Sequence, residues 1–229
     1  MRRFGEKGFT LVELVVALAI GMAVLGAIYQ VVQTGLRSSS SMERKVTAGQ
    51  DVRAALELMA MEIRMASYNP NFTTGIWKDE NGLISALQES KGIQQATATS
   101  ILIEMDTSGD SNIDSTSNEW ILYNLDTVNK YVTRNAGAGA QPFLGALPNS
   151  GQERTVRVIN GDLNIPVFTY YDGKGDALSV ASFPASLENI RRIEIVLAVE
   201  TDDIDLNSGE RKRMIYSTSV IPRNHVSSP

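Results

Sequence analysis

The 229-residue chain has no cysteine, and its one histidine is His225. That excludes disulfide staples, thiol nucleophiles, Cys/His zinc sites and a Ser–His–Asp triad built on a well-placed imidazole. Any metal would have to be held by oxygen. Positive charge is in short supply, with 21 Lys and Arg against 26 Asp and Glu and a net charge of −5. That balance argues against nucleic acid as a strongly electrostatic partner. No carboxylate pair is recognisable as a general acid and base. Gly137-Ala138-Gly139-Ala140 lacks the lysine and the strand-to-helix setting of a phosphate loop. There is no internal repeat. With 43% hydrophobic and 21% charged residues, the bulk of the chain can bury a core. Together these absences describe a non-catalytic protein.

The first forty residues are unlike the rest. Met1–Gly8 carries Arg2, Arg3 and Lys7 against Glu6, and beyond Glu13 no charge appears until Arg37. The 23 uncharged residues from 14 to 36 would span about 35 Å as a helix, enough to cross a bilayer. The basic cluster before them predicts an N-terminus in the cytoplasm and a head outside. Three ordinary readings compete. A secretory signal could be cut near Ala17-Leu18-Ala19, but cleavage there leaves a long apolar run behind. Arg2-Arg3 alone is a thin twin-arginine pattern. A plain signal anchor leaves Glu13 unexplained, because a carboxylate in an apolar helix costs about 2–3 kcal/mol and needs a partner.

Gly8-Phe9-Thr10-Leu11-Val12-Glu13 resembles the signal of type IV pilins and type II secretion pseudopilins. The resemblance implies cleavage after Gly8 by a membrane-embedded prepilin peptidase on the cytoplasmic side, followed by methylation of the new amine of Phe9. It also implies that Glu13 attracts the N-terminal amine of a neighbouring subunit during assembly. Charge pairing in lipid agrees, since a buried carboxylate and ammonium cost far less together than apart. Removing the leader 1–8 would leave 221 residues with a side-chain charge of −7.

After the apolar segment 9–36 comes a serine-rich stretch (Ser38 to Ser41), weak in helix propensity. Periodicity returns with Val46, Gly49, Val52, Leu56, Met59, Ile63 and Ala66, one face of an amphipathic helix. Residues 37–68 are therefore expected to continue the helix, giving a rod of about 90 Å that ends at Asn69-Pro70. The remainder, 69–229, is expected to be a β-rich extracytoplasmic head. Candidate strands are Ser100–Asp106, Glu119–Leu125, Lys130–Arg134, Thr155–Ile159, Ile165–Tyr171, Ile190–Glu200 and Arg213–Pro222. Tyr68–Gly82 and Asn135–Gly151 are expected to be loops, and the last two runs a hairpin. The fold class is α+β: a long helix packed on an antiparallel sheet, pilin-like.

An Asp-rich loop before an Asn-Glu-Trp strand, with a long late hairpin, resembles the PilW group of minor pilins and the related pseudopilin J of type II secretion. The resemblance implies a low-abundance, tip-associated subunit that primes assembly with other minor pilins, the major pilin and an inner-membrane assembly platform. It places the precursor in the bacterial inner membrane, among lipid, and the mature subunit in a surface fibre. A type II secretion pseudopilin, a tip adhesin or DNA-uptake module, and a membrane-anchored enzyme remain as alternatives.

Asp106, Ser108, Asp110, Asn112 and Asp114 present oxygen at alternate positions, with Ile113 eighth, like the opening of an EF-hand calcium loop. Ser111 replaces the turn glycine and Ser117 the bidentate glutamate, with Glu119 two residues beyond. The competing reading is a solvated turn. Asp172-Gly173-Lys174-Gly175-Asp176 reads as a hairpin turn. Arg191-Arg192 and Arg211-Lys212-Arg213 read as solvated strand faces. Trp77, Trp120 and Tyr170-Tyr171 read as core or sheet-face residues rather than a sugar platform.

Overall fold

A computed structural model describes residues 8–137, 139–145, 154–205 and 208–225. Its first element, α1, is one unbroken helix from Leu11 to Met65, about 80 Å long. The serine stretch does not interrupt it, because serine lowers propensity only slightly and neither proline nor paired glycine stands there. Helix geometry stops at Met65, earlier than the proline predicts. Ala66 is the C-cap, and Ser67 turns left-handed at φ +67°.

The head first touches α1 at Arg44, which approaches Asp203 at 3.8 Å, and buries the helix from residue 48 onward. Ala48, Gly49, Val52, Ala55, Leu56, Met59, Ala60 and Ile63 form the buried stripe, so the expected stripe holds except at its start. Val46 is 58% exposed, outside the part of the helix that the head buries. Gly49 lets the helix approach closely: a Cβ there would come within 2.7 Å of the Tyr216 hydroxyl.

Two five-stranded sheets replace the single expected sheet. The first is an antiparallel meander of β1 (Ile93–Ala96), β2 (Ser100–Glu104), β3 (Trp120–Asp126), β4 (Tyr131–Asn135) and β5 (Ala140–Leu144), paired in that order. The second contains β6 (Val156–Val158), β7 (Phe168–Tyr171), β8 (Ala177–Leu178), β9 (Arg192–Thr201) and β10 (Arg213–Val220), ordered β10-β9-β7-β8. The short β6 shares the β9 edge with β7. Between them runs α2 (Asn160–Leu163), and Asn160 covers the gap. Its side chain accepts from the Ala198 amide and donates to the Val196 and Ile165 carbonyls.

All seven expected strands are present, five of them shortened and β3 and β4 shifted by one residue, and β9 and β10 pair as the expected hairpin through eight residues of unbroken register. Three strands escaped the pattern: β1, β5 and the two-residue β8. β5 falls inside the expected loop 135–151, of which residues 138 and 146–151 lie outside the described part. It carries Pro142, tolerable on an edge strand. β1 holds Gln94 and Gln95 at an irregular register and lacks β-branched residues beyond Ile93.

One face of each sheet meets α1. Ile101, Ile103, Ile121 and Tyr123 from the first, and Ile193, Ile195, Leu197 and Val199 from the second, close the main core around Val52, Met59 and Ile63. The opposite face of the first sheet has its own cluster of Leu102 and Trp120 with Ile76, Trp77 and Ile113. Both tryptophans are core residues, as expected.

Candidate functional site

Two regions carry the residues the sequence singled out, one at each end of α1. At the start, Gly8 and Phe9 precede the helix and are exposed, Phe9 by 90%. Thr10 is the N-cap. Its hydroxyl accepts from the Glu13 amide at 3.3 Å, and the Glu13 carboxylate accepts from the Thr10 amide at 2.9 Å. This capping box satisfies two free amides of the first turn. It also aims the Glu13 carboxylate back along the chain, toward the residue that would carry a new amine after cleavage at Gly8. Beyond it α1 is long and apolar enough to cross a membrane, and the head covers none of that stretch. Leu14, Val15, Leu18, Ile20, Leu25 and Ile28 are all more than half exposed. Such a surface is stable only in lipid or against other helices.

At the far end the acidic loop brings together three of its six expected ligands. Oxygens of Asp106, Asp110 and Glu119 lie within 4.8 Å of one another. Ser108 donates to Asp106 Oδ1 at 3.3 Å, at the edge of this group. Asp114 is not among the three carboxylates that converge. The Asp114 carboxylate instead accepts from the amide and hydroxyl of Thr116 at 2.8 and 2.6 Å. The side chain of Ile113, the eighth residue, is fully buried in the second cluster.

The loop is largely closed by its own donors. Asp106 is fully buried and accepts from the amides of Gly109 and Ser111, at 2.7 and 3.0 Å. Glu119 accepts from the amides of Ser108 and Asp114, at 2.7 and 3.0 Å, and from the Thr107 hydroxyl. Burial works to raise the Glu119 carboxyl, but those hydrogen bonds outweigh it and hold the group below the ordinary carboxylate range. Oxygen lone pairs left on Asp106 and Glu119, with the exposed Asp110, are what the loop could offer a hard divalent cation. Nearby, Glu104 is fully buried and takes the Lys78 amide on both oxygens; burial pushes its carboxyl up to about 8.

The basic clusters are already engaged. Arg191 Nη1 donates to the carbonyls of Glu188, Ile190 and His225, and the Arg192 guanidinium stacks 3.5 Å above the Tyr171 ring. Lys212 pairs with Asp205 at 3.1 Å, while Arg211 and Arg213 approach Glu200. Asp172 closes the β7–β8 turn by accepting from the amides of Lys174 and Asp176.

Two further constellations had no signal in the sequence, because each is assembled from distant segments. Glu62 of α1 takes two bonds from Arg134 and one from the Tyr123 hydroxyl, tying the helix to the first sheet. His225 docks against the end of α1 and is fully buried, bar 2% of its surface. A lone histidine near a C-terminus gives no hint of that.

Residues 3–29 match the prokaryotic N-terminal methylation motif. No curated protein and no solved structure is significantly similar to the chain. The motif implies processing by a prepilin peptidase and assembly with other pilins, and the apolar helix beside it indicates anchoring in a membrane. The match spans 27 of the 229 residues, and it supports a type IV pilin-like N-terminus.

Proposed function

We propose that this chain is a minor pilin, cut after Gly8, methylated at Phe9 and built through α1 into a type IV pilus, where it primes or caps assembly. The observation that carries the reading is the methylation motif on a rod whose first half is apolar and uncovered and whose second half is clamped in a head. Such a rod can leave the bilayer only by exchanging lipid for other helices. Glu13 gives that exchange a direction. In the single subunit its carboxylate is held by Thr10. In the fibre it would trade this neutral bond for the charged amine of a neighbouring subunit, a stronger contact in a low dielectric.

On this reading the partners are the prepilin peptidase, other minor pilins, the major pilin, an inner-membrane assembly platform, and lipid before assembly. The precursor spans the inner membrane once, with its N-terminus in the cytoplasm and its head in the periplasm. Assembly energy comes from a separate motor, so the head needs no catalytic residue. The acidic pairing of Arg211, Lys212 and Arg213 argues against DNA as its target.

Deletion in the native host, scored for surface pili and for secreted proteins, tests this reading. Lost pili with normal secretion supports it. Normal pili with cargo held in the periplasm would assign the chain to type II secretion instead. Normal pili that no longer bind a surface or DNA would make it a tip binding module.

The same reading leaves a role for calcium as a staple of the far end of the head, held by Asp106, Asp110 and Glu119. The closeness of their oxygens supports this, and millimolar calcium outside the cell would fill even a weak site.

A further inference from the structure

After β10 the chain runs as a short strap, residues 221–225, across the far end of α1. The Arg223 amide donates to the Arg64 carbonyl at 3.3 Å, and the strap ends at the His225 ring. The ring joins three segments. Its Nε2 lies 2.9 Å from the Leu187 carbonyl, which can only accept, so Nε2 carries the hydrogen. Nδ1 is then an acceptor, 2.8 Å from the Ser67 hydroxyl. Ser67 Oγ in turn accepts from the Gly92 amide at 2.9 Å. Each hydrogen in this chain has one place, and the whole requires a neutral ring.

Protonation breaks the pattern. A second ring N–H would point at Ser67 Oγ, which already receives the Gly92 amide, and the hydroxyl hydrogen would lose its acceptor. The Leu187 carbonyl favours the charged ring, but burial and the neighbouring cations outweigh it. Arg191, leading into β9, and Lys91, before β1, both act on the ring as cations. Arg64, in the last turn of α1, and Arg223, in the strap itself, are cationic as well. Glu188 and Glu89 sit on the neighbouring turns, yet neither is among the groups that shift the ring. The end of α1 presents only the neutral Ser67.

The strap also borders a groove of about 680 Å³, lined among others by Ser67, Tyr68, Phe72, Trp77, Lys91 and Asn224. Ser67 and Asn224 therefore belong to both. We propose that residues 221–225 form a proton-released clasp. With a neutral ring it locks the strap to the end of α1; with a charged ring the strap and its wall of the groove swing free. Burial, and then the two cations, push the ring down to about 4 from its ordinary 6.5, in keeping with the geometry. The local opening constant should then rise roughly 150-fold between pH 8 and pH 4, because the proton binds the open strap well before it binds the closed one.

His225 is the only histidine, so its nitrogens can be followed without interference. The test uses the full chain in detergent micelles, with ¹⁵N-histidine resonances and amide hydrogen exchange measured from pH 8 to pH 4. The clasp gives an Nε2–H tautomer, a titration near pH 4, and strap amides that lose protection relative to those of β9 and β10. In His225→Gln, which keeps a donor but cannot take a proton, strap protection should follow β9 and β10 throughout. A ring that titrates near 6.5 overturns the clasp. So does strap protection that falls only together with the hairpin, or an equal acid loss in His225→Gln.

Discussion

Removing the Glu62 carboxylate should destabilise the head by about 4 kcal/mol, and much of that loss should disappear when Arg134 is removed as well. The side chains of Glu62 and Arg134 are only 12% and 22% exposed, and they meet through two hydrogen bonds of 2.7 and 3.2 Å. Breaking one partner of a buried pair costs about 3–5 kcal/mol, mainly through the charge left unpaired. Arg134 retains Asn118 Oδ1 at 2.8 Å, which brings the figure toward the lower end. The Tyr123 hydroxyl also loses its acceptor, adding about 1 kcal/mol. In Glu62→Ala/Arg134→Met no stranded guanidinium remains, so a coupling of about 2 kcal/mol between the two sites follows. Urea unfolding of the full chain in detergent, followed by tryptophan fluorescence, reports this cleanly. Both tryptophans lie in the head, so the micelle-bound half of α1 contributes no signal. Additive single effects, with coupling below about 0.5 kcal/mol, would refute the reasoning.

Other consequences follow from single residues. Gly92→Ala should cost about 3 kcal/mol in the same urea assay, because its Cβ would lie 2.2 Å from the Glu104 carbonyl and 2.5 Å from the Ser67 amide, both backbone. Acid should weaken the head through His225: a folded-state pKa lowered to about 4 gives stability that is complete above pH 6.5 and lost as pH falls to 4. The full loss is about 3 kcal/mol. It is read as the difference between wild type and His225→Gln at each pH, which cancels the opposite dependence of Glu104. For calcium, titration calorimetry of the full chain should show binding at or below millimolar concentration, weakened at least tenfold by Asp110→Ala. No heat at millimolar calcium, or unchanged affinity in the variant, would remove the metal from the account.

Sequence pattern reached some parts of this molecule and missed others for physical reasons. The membrane half of α1 was legible because hydrophobicity there is nearly uninterrupted, and the packed half because Val52, Leu56, Met59 and Ile63 repeat with the helical period. The β9–β10 hairpin was legible because alternation such as Arg192-Ile193-Glu194-Ile195 persists for a whole strand. β1, with two glutamines at an irregular register, and β5, with a proline on an edge, carry no such alternation. Division into two sheets depends on which strands pair, a long-range choice that local pattern does not encode. In the acidic loop the alternation of oxygen groups located Asp106 and Asp110, with Glu119 just beyond it, but also nominated Asp114. Which carboxylates turn inward is decided by backbone amides, as when Thr116 draws Asp114 away. His225 and the Glu62–Arg134–Tyr123 group depend on residues as much as 158 positions apart.

The central claim is most directly tested by the mass of the mature N-terminus. Protein purified from membranes of a host with an active prepilin peptidase should begin at Phe9 and carry one added methyl group on its amine. A Gly8→Val precursor in the same host should keep Met1–Gly8. A wild-type chain that retains its leader, or that is cut beside Ala19, would contradict the account.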